Sequence, residues 1–256
     1  MRLKGNTILV TGGGSGIGRG LAEALHAEGN QVVISGRRMA VLEQTAAANP
    51  GMKAEALDIA SGESIQRFAA LVKQKYPALN VVIHNAGIMT PEALAKGEVA
   101  DAEAIITTNL LGPIRLTAAL LPWLVAKPEA AIMTVSSGLA FVPLSMTPTY
   151  CATKAAIHSY TQSLRYQLRE TPVQVIELIP PYVQTELMGP GQAKDPNAMP
   201  LKEFIVETMQ ILKQSPGITE ICVERVLRLR KAEANGNYDA FFKQFNEWAA
   251  ASHVEL

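Results

Sequence analysis

Short apolar runs rich in β-branched residues alternate with longer segments of helical periodicity along most of this chain. The apolar runs cover residues 7–10, 31–35, 53–57, 80–84, 131–135 and 173–179. Strands that are apolar on both faces are typical of parallel sheets covered by helices on both sides. Segments 17–25, 38–48, 61–76, 101–121 and 149–169 have the spacing expected of those helices. The alternation therefore predicts an α/β fold built on one doubly wound parallel sheet.

The carboxyl-terminal part of the chain follows a different pattern. Residues 185–217 are punctuated by Gly189-Pro190-Gly191, Asp195-Pro196 and Met199-Pro200, and we interpret them as an irregular lid, since ligands bind outside the carboxyl ends of parallel strands. Residues 219–251 mix apolar and charged side chains and end in an aromatic stripe, which predicts two carboxyl-terminal helices. The sheet is then expected to have six strands, or seven if this region adds one. We find no linker, so residues 1–256 are expected to form a single domain.

Composition narrows the classes of partner. Lysine plus arginine and aspartate plus glutamate both number 23, and this zero net charge argues against a nucleic-acid partner. The uncharged stretch 130–153 is interrupted by serine, glycine and proline, so we expect no membrane span. The 2 cysteines, Cys151 and Cys222, form no CxxC pair, so we predict no metal site and expect a cytoplasmic location.

A glycine-rich turn follows the first predicted strand. It reads Thr11-Gly12-Gly13-Gly14-Ser15-Gly16-Ile17-Gly18, with the spacing G-x-x-x-G-x-G. Glycines at a strand-to-helix turn let the backbone approach a pyrophosphate, and the helix amino end adds donors and positive dipole. The turn favours a Rossmann-type dinucleotide fold, although a tight turn without a ligand would have a similar composition.

Further motifs in the same order make the chain resemble the classical short-chain dehydrogenase/reductase family, whose cofactor motif is T-G-x-x-x-G-x-G. His84-Asn85-Ala86-Gly87 resembles the family's N-N-A-G, and Pro180-Pro181-Tyr182-Val183-Gln184-Thr185 resembles P-G-x-V-x-T. Ser137, Tyr150 and Lys154 match its serine and Y-x-x-x-K core. The carboxyl-terminal end resembles that of the DltE-type oxidoreductase subgroup.

The resemblance implies a set of site residues. The catalytic residues would be Asn109, Ser137, Tyr150 and Lys154, with Asn109 holding a water that relays protons to Lys154. The cofactor-binding residues would be Gly12, Ser15, Gly16, Ile17, Gly18, Arg37, Arg38, Asp58, Ile59, Asn85, Ala86, Gly87, Tyr150, Lys154, Pro180, Val183 and Thr185.

The spacing of Tyr150 and Lys154 suggests how the chemistry works. Residues four apart on a helix project from the same face, so an ammonium lies beside a phenol. We expect this cation to lower the pKa of Tyr150, which then acts as general acid in reduction and general base in oxidation. Ser137 is expected to hold the substrate oxygen, with Ser136 as a competing candidate.

The end of the second strand bears on the choice of cofactor. An acidic side chain there binds the two ribose hydroxyls of NAD, whereas arginine suits the 2′-phosphate of NADP. By resemblance to the family, the acidic position is Gly36 in this chain, and Arg37 and Arg38 follow it. We predict a preference for NADP(H) over NAD(H).

The substrate is expected to be a hydrophobic ketone or secondary alcohol. Leu139, Tyr182, Leu187 and Met188 are the candidate substrate residues, and they are largely apolar. By resemblance we expect a homodimer or homotetramer. The alternative function is a non-catalytic dinucleotide-binding sensor or scaffold on the same fold. Such a protein would be expected to have lost the tyrosine or the lysine, and both are present.

Overall fold

The computed structural model describes residues 1–252, and its centre is one parallel sheet of seven strands. The strands are β1 (Thr7–Thr11), β2 (Gln31–Gly36), β3 (Lys53–Ala56), β4 (Leu79–His84), β5 (Ala130–Val135), β6 (Val173–Ile179) and β7 (Glu220–Cys222). Their order in the sheet is β3-β2-β1-β4-β5-β6-β7. The chain therefore winds in both directions from β1, and the loops after β1 and β4 diverge to open a crevice. The prediction of a doubly wound parallel sheet is confirmed.

Helices cover both faces of the sheet. They are α1 (Gly16–Ala27), α2 (Met39–Ala48), α3 (Gly62–Lys75), α4 (Ala100–Ile106), α5 (Gly112–Val125), α6 (Pro148–Gln167), α7 (Leu201–Gln214), α8 (Leu227–Arg230) and α9 (Tyr238–Ser252). Ile8 and Val10 of β1 pack with α1, α2 and α7, whereas Leu9 between them packs with α3, α5 and α6. Alternate residues of a strand point to opposite faces, so a continuous apolar run fills both cores.

The sheet has a seventh strand, so the alternative of six strands is wrong. The strand β7 pairs in parallel with β6 over three residues, at positions where we predicted a helix. Its polar residue Glu220 accepts two hydrogen bonds from Arg230, which allows a charged side chain on this edge strand. Three residues are too few to reveal a strand by periodicity, and the adjoining α8 extended the helical pattern. The expected carboxyl-terminal helix is present as α9.

The segment expected to be an irregular lid is helical in its second half. Helix α7 occupies residues 201–214, and Pro200 is its amino-terminal cap residue rather than part of a loop. Ile205 of α7 lies against Gly20 of α1, where an added Cβ would come within 2.8 Å of the isoleucine side chain. Residues 185–200 remain largely irregular, with one short helical turn at Gln192–Lys194.

One helical stretch, Ala100–Val125, has the length and mean hydropathy (1.4) that a membrane span would need. It comprises α4, a π-helical segment (Thr107–Leu111) and α5. Leu116, Leu120 and Leu124 of α5 are fully buried against α3 and the sheet. Packing within the fold buries 44% of the apolar window.

Candidate active site

A cavity of about 660 Å³ lies at the carboxyl ends of the strands. It extends from the glycine-rich turn after β1, past the loops after β2 and β4, to the ends of β5 and β6. This is the edge at which α/β sheets bind ligands, and the volume is in the range of small-molecule sites.

The glycine-rich turn forms one wall of the cavity. Gly12 and Gly16 have φ angles of +67° and +52°, which side chains rarely adopt, and a Cβ on Gly12 would come within 2.9 Å of Ala86 Cα. Ser15, Gly16 and Ile17 line the cavity where α1 begins, so the unpaired N–H groups of its first turn lie beside that wall. This cradle fits the pyrophosphate of a dinucleotide.

Gly18 has a different position from the other two motif glycines. It does not line the cavity, and a Cβ there would come within 2.3 Å of Asn85 Nδ2 and 2.4 Å of Gly12 O. Gly18 therefore allows α1 to approach the two loops beneath the cradle.

Asn85 fastens the loop after β4 to the glycine-rich turn. Its Nδ2 donates to Thr11 O at 3.1 Å and to Gly12 O at 3.3 Å. The backbone N–H groups of Asn85 and Ala86 both donate to Thr11 Oγ1 at 3.1 Å. Asn85, Ala86 and Gly87 all line the cavity. The threonine at the start of the motif and the asparagine of the second motif thus form one unit.

Of the residues predicted on the adenosine side, three line the cavity and Asp58 does not. Arg37 and Arg38 are exposed on the cavity wall, and Arg38 Nη2 donates to Ser15 Oγ at 3.2 Å. Ile59 also lines the cavity. Asp58 does not; its Oδ1 accepts from Ala60 N at 3.1 Å and thereby shapes the turn before α3.

Ser137, Tyr150 and Lys154 come together on the wall opposite the glycine-rich turn. All three line the cavity, and they are 8%, 6% and 6% exposed. Tyr150 lies in the first turn of α6, and Lys154 follows one turn later. The Lys154 Nζ lies 5.4 Å from the centroid of the Tyr150 ring and donates to Val135 O at 2.8 Å. A hydrogen bond links the side chains of Ser137 and Tyr150.

Burial controls the proton affinities of this group. It raises the pKa of Tyr150 well above that of a free phenol, and the hydrogen bond with Ser137 opposes that shift. Burial also lowers the pKa of Lys154 to about 8, with the Glu177 carboxylate opposing. The sequence led us to expect a lowered pKa for Tyr150. In the structure burial outweighs other effects, and the phenol is protonated at neutral pH.

The two candidate serines point in different directions. Ser136, which is 2% exposed, donates from its Oγ to Glu177 Oε1 at 2.5 Å, whereas Ser137 bonds with Tyr150; both serines line the cavity. Neighbouring residues at the end of a strand face opposite sides, which separates the two roles. The geometry favours Ser137 as the residue that meets a substrate oxygen.

Asn109 lies in the π-helical segment between α4 and α5 and is 2% exposed. Its Nδ2 donates to Ile88 O at 2.8 Å, and its Oδ1 accepts from Ile88 N at 2.9 Å. The side chain therefore holds the loop after β4 and does not line the cavity, although its neighbour Thr108 does.

The remaining predicted residues all lie on the cavity wall. They are Pro180, Val183 and Thr185 on the cofactor side, and Leu139, Tyr182, Leu187 and Met188 on the substrate side. Gln192, which sequence reasoning missed, fastens this segment: its Nε2 donates to Val183 O at 2.8 Å and to Thr185 Oγ1 at 3.0 Å.

Helix α9 supplies further lining residues that sequence reasoning did not assign to the site. Phe245, Trp248 and Ala249 line the cavity, and Phe245 and Ala249 pack in the same apolar cluster as Tyr150. Asn246 holds α9 in place, because its Oδ1 accepts from Ser145 N at 2.6 Å and its Nδ2 donates to Pro143 O at 3.1 Å. The aromatic stripe in the sequence was the available signal, but periodicity alone does not say what a stripe faces.

Comparison with known proteins identifies a matching family model and a similar oxidoreductase. A family model described as "short chain dehydrogenase" matches residues 6–196. The chain is 39% identical over 252 residues to the uncharacterized oxidoreductase DltE of Bacillus subtilis, covering 96% of this chain and 98% of the relative.

Solved structures show the same fold. A short chain dehydrogenase from Burkholderia cenocepacia in complex with NADP matches with a TM-score of 0.78 and 24% identity, covering 93% of this chain and 96% of that one. A short chain dehydrogenase/reductase from Burkholderia phymatum in complex with NAD matches with a TM-score of 0.82 and 18% identity, again covering 93% and 96%. The resemblance to the DltE-type subgroup, stated above from motifs, is confirmed by the curated relative.

Proposed function

Because this chain belongs to the short-chain dehydrogenase family of oxidoreductases, we propose that it transfers a hydride between NADP(H) and a hydrophobic ketone or secondary alcohol. One observation carries the proposal. Ser137, Tyr150 and Lys154 share one wall of a cavity whose other wall is the glycine-rich cradle.

The residues of the cradle fit the cofactor. Gly12, Ser15, Gly16 and Ile17 would hold its pyrophosphate, the loop of Asn85–Gly87 would flank it, and Lys154 would reach the nicotinamide ribose. When bound, the cofactor supplies or accepts the hydride, and the protein provides orientation and the proton.

The proton step follows from the geometry of Tyr150. In reduction, its protonated hydroxyl donates to the substrate oxygen while the Ser137 hydroxyl holds that oxygen through a hydrogen bond. In oxidation, the phenolate accepts the alcohol proton. The Lys154 ammonium, 5.4 Å from the ring centroid, stabilises this phenolate, which is left after proton donation in reduction and is the proton acceptor in oxidation.

Preference for NADP(H) is supported by the charges at the end of β2. Gly36 offers no carboxylate, and the guanidinium groups of Arg37 and Arg38 lie on the cavity wall. The hydrogen bond from Arg38 to Ser15 holds one of them beside the cradle, where a 2′-phosphate could pair with it.

An apolar substrate is supported by the surroundings of Tyr150. Leu139, Leu144, Met89 and Phe245 pack around it, and Trp248 extends the wall toward solvent. A carbonyl compound with an apolar substituent would bury that substituent here.

Association into a homodimer or homotetramer is also part of the proposal. Val99, Ile106, Leu111 and Val125 are exposed apolar side chains on the stretch from α4 to α5. Light scattering of the purified protein tests this point, and a monomer at micromolar concentration would contradict it.

A cytoplasmic location is supported by two free thiols, Cys151 and Cys222.

The test begins with binding and then measures turnover. Fluorescence titration compares NADPH with NADH, and tighter binding of NADH would contradict the assignment of Arg37 and Arg38. A panel of hydrophobic ketones and secondary alcohols is then assayed with NADPH oxidation and NADP reduction followed in parallel. Binding of the cofactor without turnover on any member would instead favour the non-catalytic sensor.

A further inference from the structure

A buried carboxylate lies directly behind the catalytic wall. Glu177 of β6 is 0% exposed. It is in register with Thr134 of β5 on one side and with Glu220 of β7 on the other. A carboxylate is rarely buried completely, because losing its hydration costs free energy unless charged or polar groups replace the water.

Two side chains from the catalytic elements bind the Glu177 carboxylate. Ser136 Oγ donates to Oε1 at 2.5 Å, and His158 Nδ1 lies 3.0 Å from Oε1 and 2.8 Å from Oε2. A carboxylate can only accept, so the proton of the second bond lies on Nδ1. Ser136 immediately precedes Ser137, and His158 follows Lys154 by one turn of α6.

The contacts of Glu177 therefore restrain both parts of the catalytic group. Ser136 is held at the end of β5, so the backbone that aims Ser137 at Tyr150 is fixed from behind. His158 is held on the face of α6 that also carries Lys154. Phe141 packs edge-on against His158, with 4.7 Å between the ring centroids. The segment that follows Ser137 therefore also contacts the histidine that binds Glu177.

The charges around Glu177 come from three elements. The titratable groups around it are Lys154 and His158 from α6, Glu220 and Cys222 from β7, and Arg230 from α8. His158, Glu177 and Glu220 have ligand atoms within 4.8 Å of one another, as at some metal sites. Here Arg230 already donates to both Glu220 oxygens, at 2.9 and 3.1 Å, and supplies the cation.

We propose that Glu177 is a positioning residue for the reaction: its carboxylate holds Ser136 and His158 and thereby aligns Ser137 and Lys154. This inference rests on the proposed function, because it assigns Glu177 a role toward the proposed proton-transfer group. The electrostatics agree with this arrangement, since the Glu177 charge raises the pKa of Lys154 against its burial.

Removing the charge of Glu177 is expected to lower the pKa of Lys154. Replacing Glu177 by glutamine removes the charge but keeps the shape, so the pKa of Lys154 falls below about 8. The ammonium is then lost at lower pH, and the falling alkaline limb of the reductase pH profile moves in the acidic direction. A displacement of about half a pH unit corresponds to a roughly threefold loss of activity at fixed pH on that limb.

Glu220→Gln is the matched control. It makes the same chemical change at the registered position of the next strand, and Glu220 bonds to Arg230 rather than to Ser136. The alkaline limb of kcat/KM for a ketone with NADPH is compared in wild type, Glu177→Gln and Glu220→Gln. A displaced limb in Glu177→Gln alone supports the proposal, and an unchanged limb in Glu177→Gln, or an equal displacement in both variants, overturns it.

Ser136→Ala tests the alignment separately from the charge. It removes one anchor of the carboxylate while Glu177 keeps its charge, so we expect a roughly tenfold fall in kcat with an unmoved alkaline limb. A kcat within twofold of wild type overturns the positioning role. This variant also decides the question if Glu177→Gln does not fold.

A direct readout of Lys154 separates this inference from the proposed function. The ¹³Cε chemical shift of Lys154, assigned by its loss in Lys154→Arg, is titrated without any substrate. Its midpoint should lie near 8 in wild type and lower in Glu177→Gln. Equal midpoints overturn the electrostatic role even if turnover is found, whereas a displaced midpoint without turnover on any carbonyl contradicts the proposed function alone.

Discussion

Replacing Gly18 by alanine tests how closely α1 must approach the loops beneath the cradle. The added Cβ would lie 2.3 Å from Asn85 Nδ2 and 2.4 Å from Gly12 O, roughly 1 Å closer than ordinary van der Waals contact. Gly12 O belongs to the backbone and cannot rotate away, so the turn and the helix must separate.

The size of the effect follows from that overlap. Overpacking of this kind costs about 1–3 kcal/mol of unfolding free energy. A displacement of about 1 Å in the cradle is also expected to weaken NADPH binding by roughly 10- to 100-fold. Gly62→Ala is the control, because it too lies in the first turn of a helix and a Cβ there meets no atom within 4 Å.

Two measurements decide the outcome. Chemical denaturation gives the unfolding free energy, and fluorescence titration gives the dissociation constant of NADPH for Gly18→Ala, Gly62→Ala and wild type. We expect both quantities to change in the first variant and neither to worsen in the second. A dissociation constant for Gly18→Ala within twofold of wild type would refute the argument that close approach at this residue builds the cradle.

Three further predictions concern the cofactor, the pH dependence and the substrate. Replacing both Arg37 and Arg38 by serine should weaken NADPH binding at least tenfold and leave NADH binding nearly unchanged. The reason is that each charge-assisted hydrogen bond to the 2′-phosphate contributes about 1.5–3 kcal/mol before solvent screening. Parallel titrations with NADPH and NADH check this, and equal losses of affinity for both cofactors would contradict it. Alcohol oxidation should accelerate as pH rises from 7 toward 8, because burial raises the pKa of Tyr150 and the phenolate is the base, and it should level off above about 8, where the Lys154 ammonium is lost. A steady-state pH series with a flat oxidation rate between pH 6 and 8 would argue against it. Phe245→Ala should raise KM for a bulky apolar ketone several-fold more than KM for acetone, because it removes an apolar side chain beside Tyr150. The KM values are measured by NADPH consumption. Equal changes in the two KM values would contradict the assignment of α9 to the substrate wall.

Local patterns in the sequence predicted most of the sheet and the proximity of Tyr150 and Lys154 in the candidate site. The run Leu79–His84 is buried at every position, so it is largely apolar on both faces of the sheet. A run of this kind predicts a strand of a parallel sheet covered on both sides, without knowledge of its long-range contacts. Tyr150 and Lys154 are separated by one helical turn, and their proximity required no knowledge of the tertiary structure.

Features that depend on long-range contacts were missed or misread. The strand β7 is identified by its pairing with β6 and not by its three residues. Helix α7 begins after Pro200, a residue that we interpreted as loop punctuation although proline also occurs at helix starts. Ser136 and Ser137 look equivalent in sequence, and their roles separate only when Glu177, forty-one residues away, binds one of them. The same holds for α9, which long-range apolar packing and the bonds of Asn246 hold against the cavity.

Replacement of Tyr150 by phenylalanine tests the central proposal most directly. The change removes the hydroxyl that bonds to Ser137 and leaves the ring in its apolar cluster, so NADPH binding should persist. Tyr166→Phe, on the exposed side of the same helix, is the control and should retain full activity. The measurement is kcat for reduction of a hydrophobic ketone that wild type turns over. We predict a loss of at least a thousandfold in Tyr150→Phe with a dissociation constant for NADPH within threefold of wild type, whereas retained turnover would contradict the assignment of Tyr150 as the proton donor.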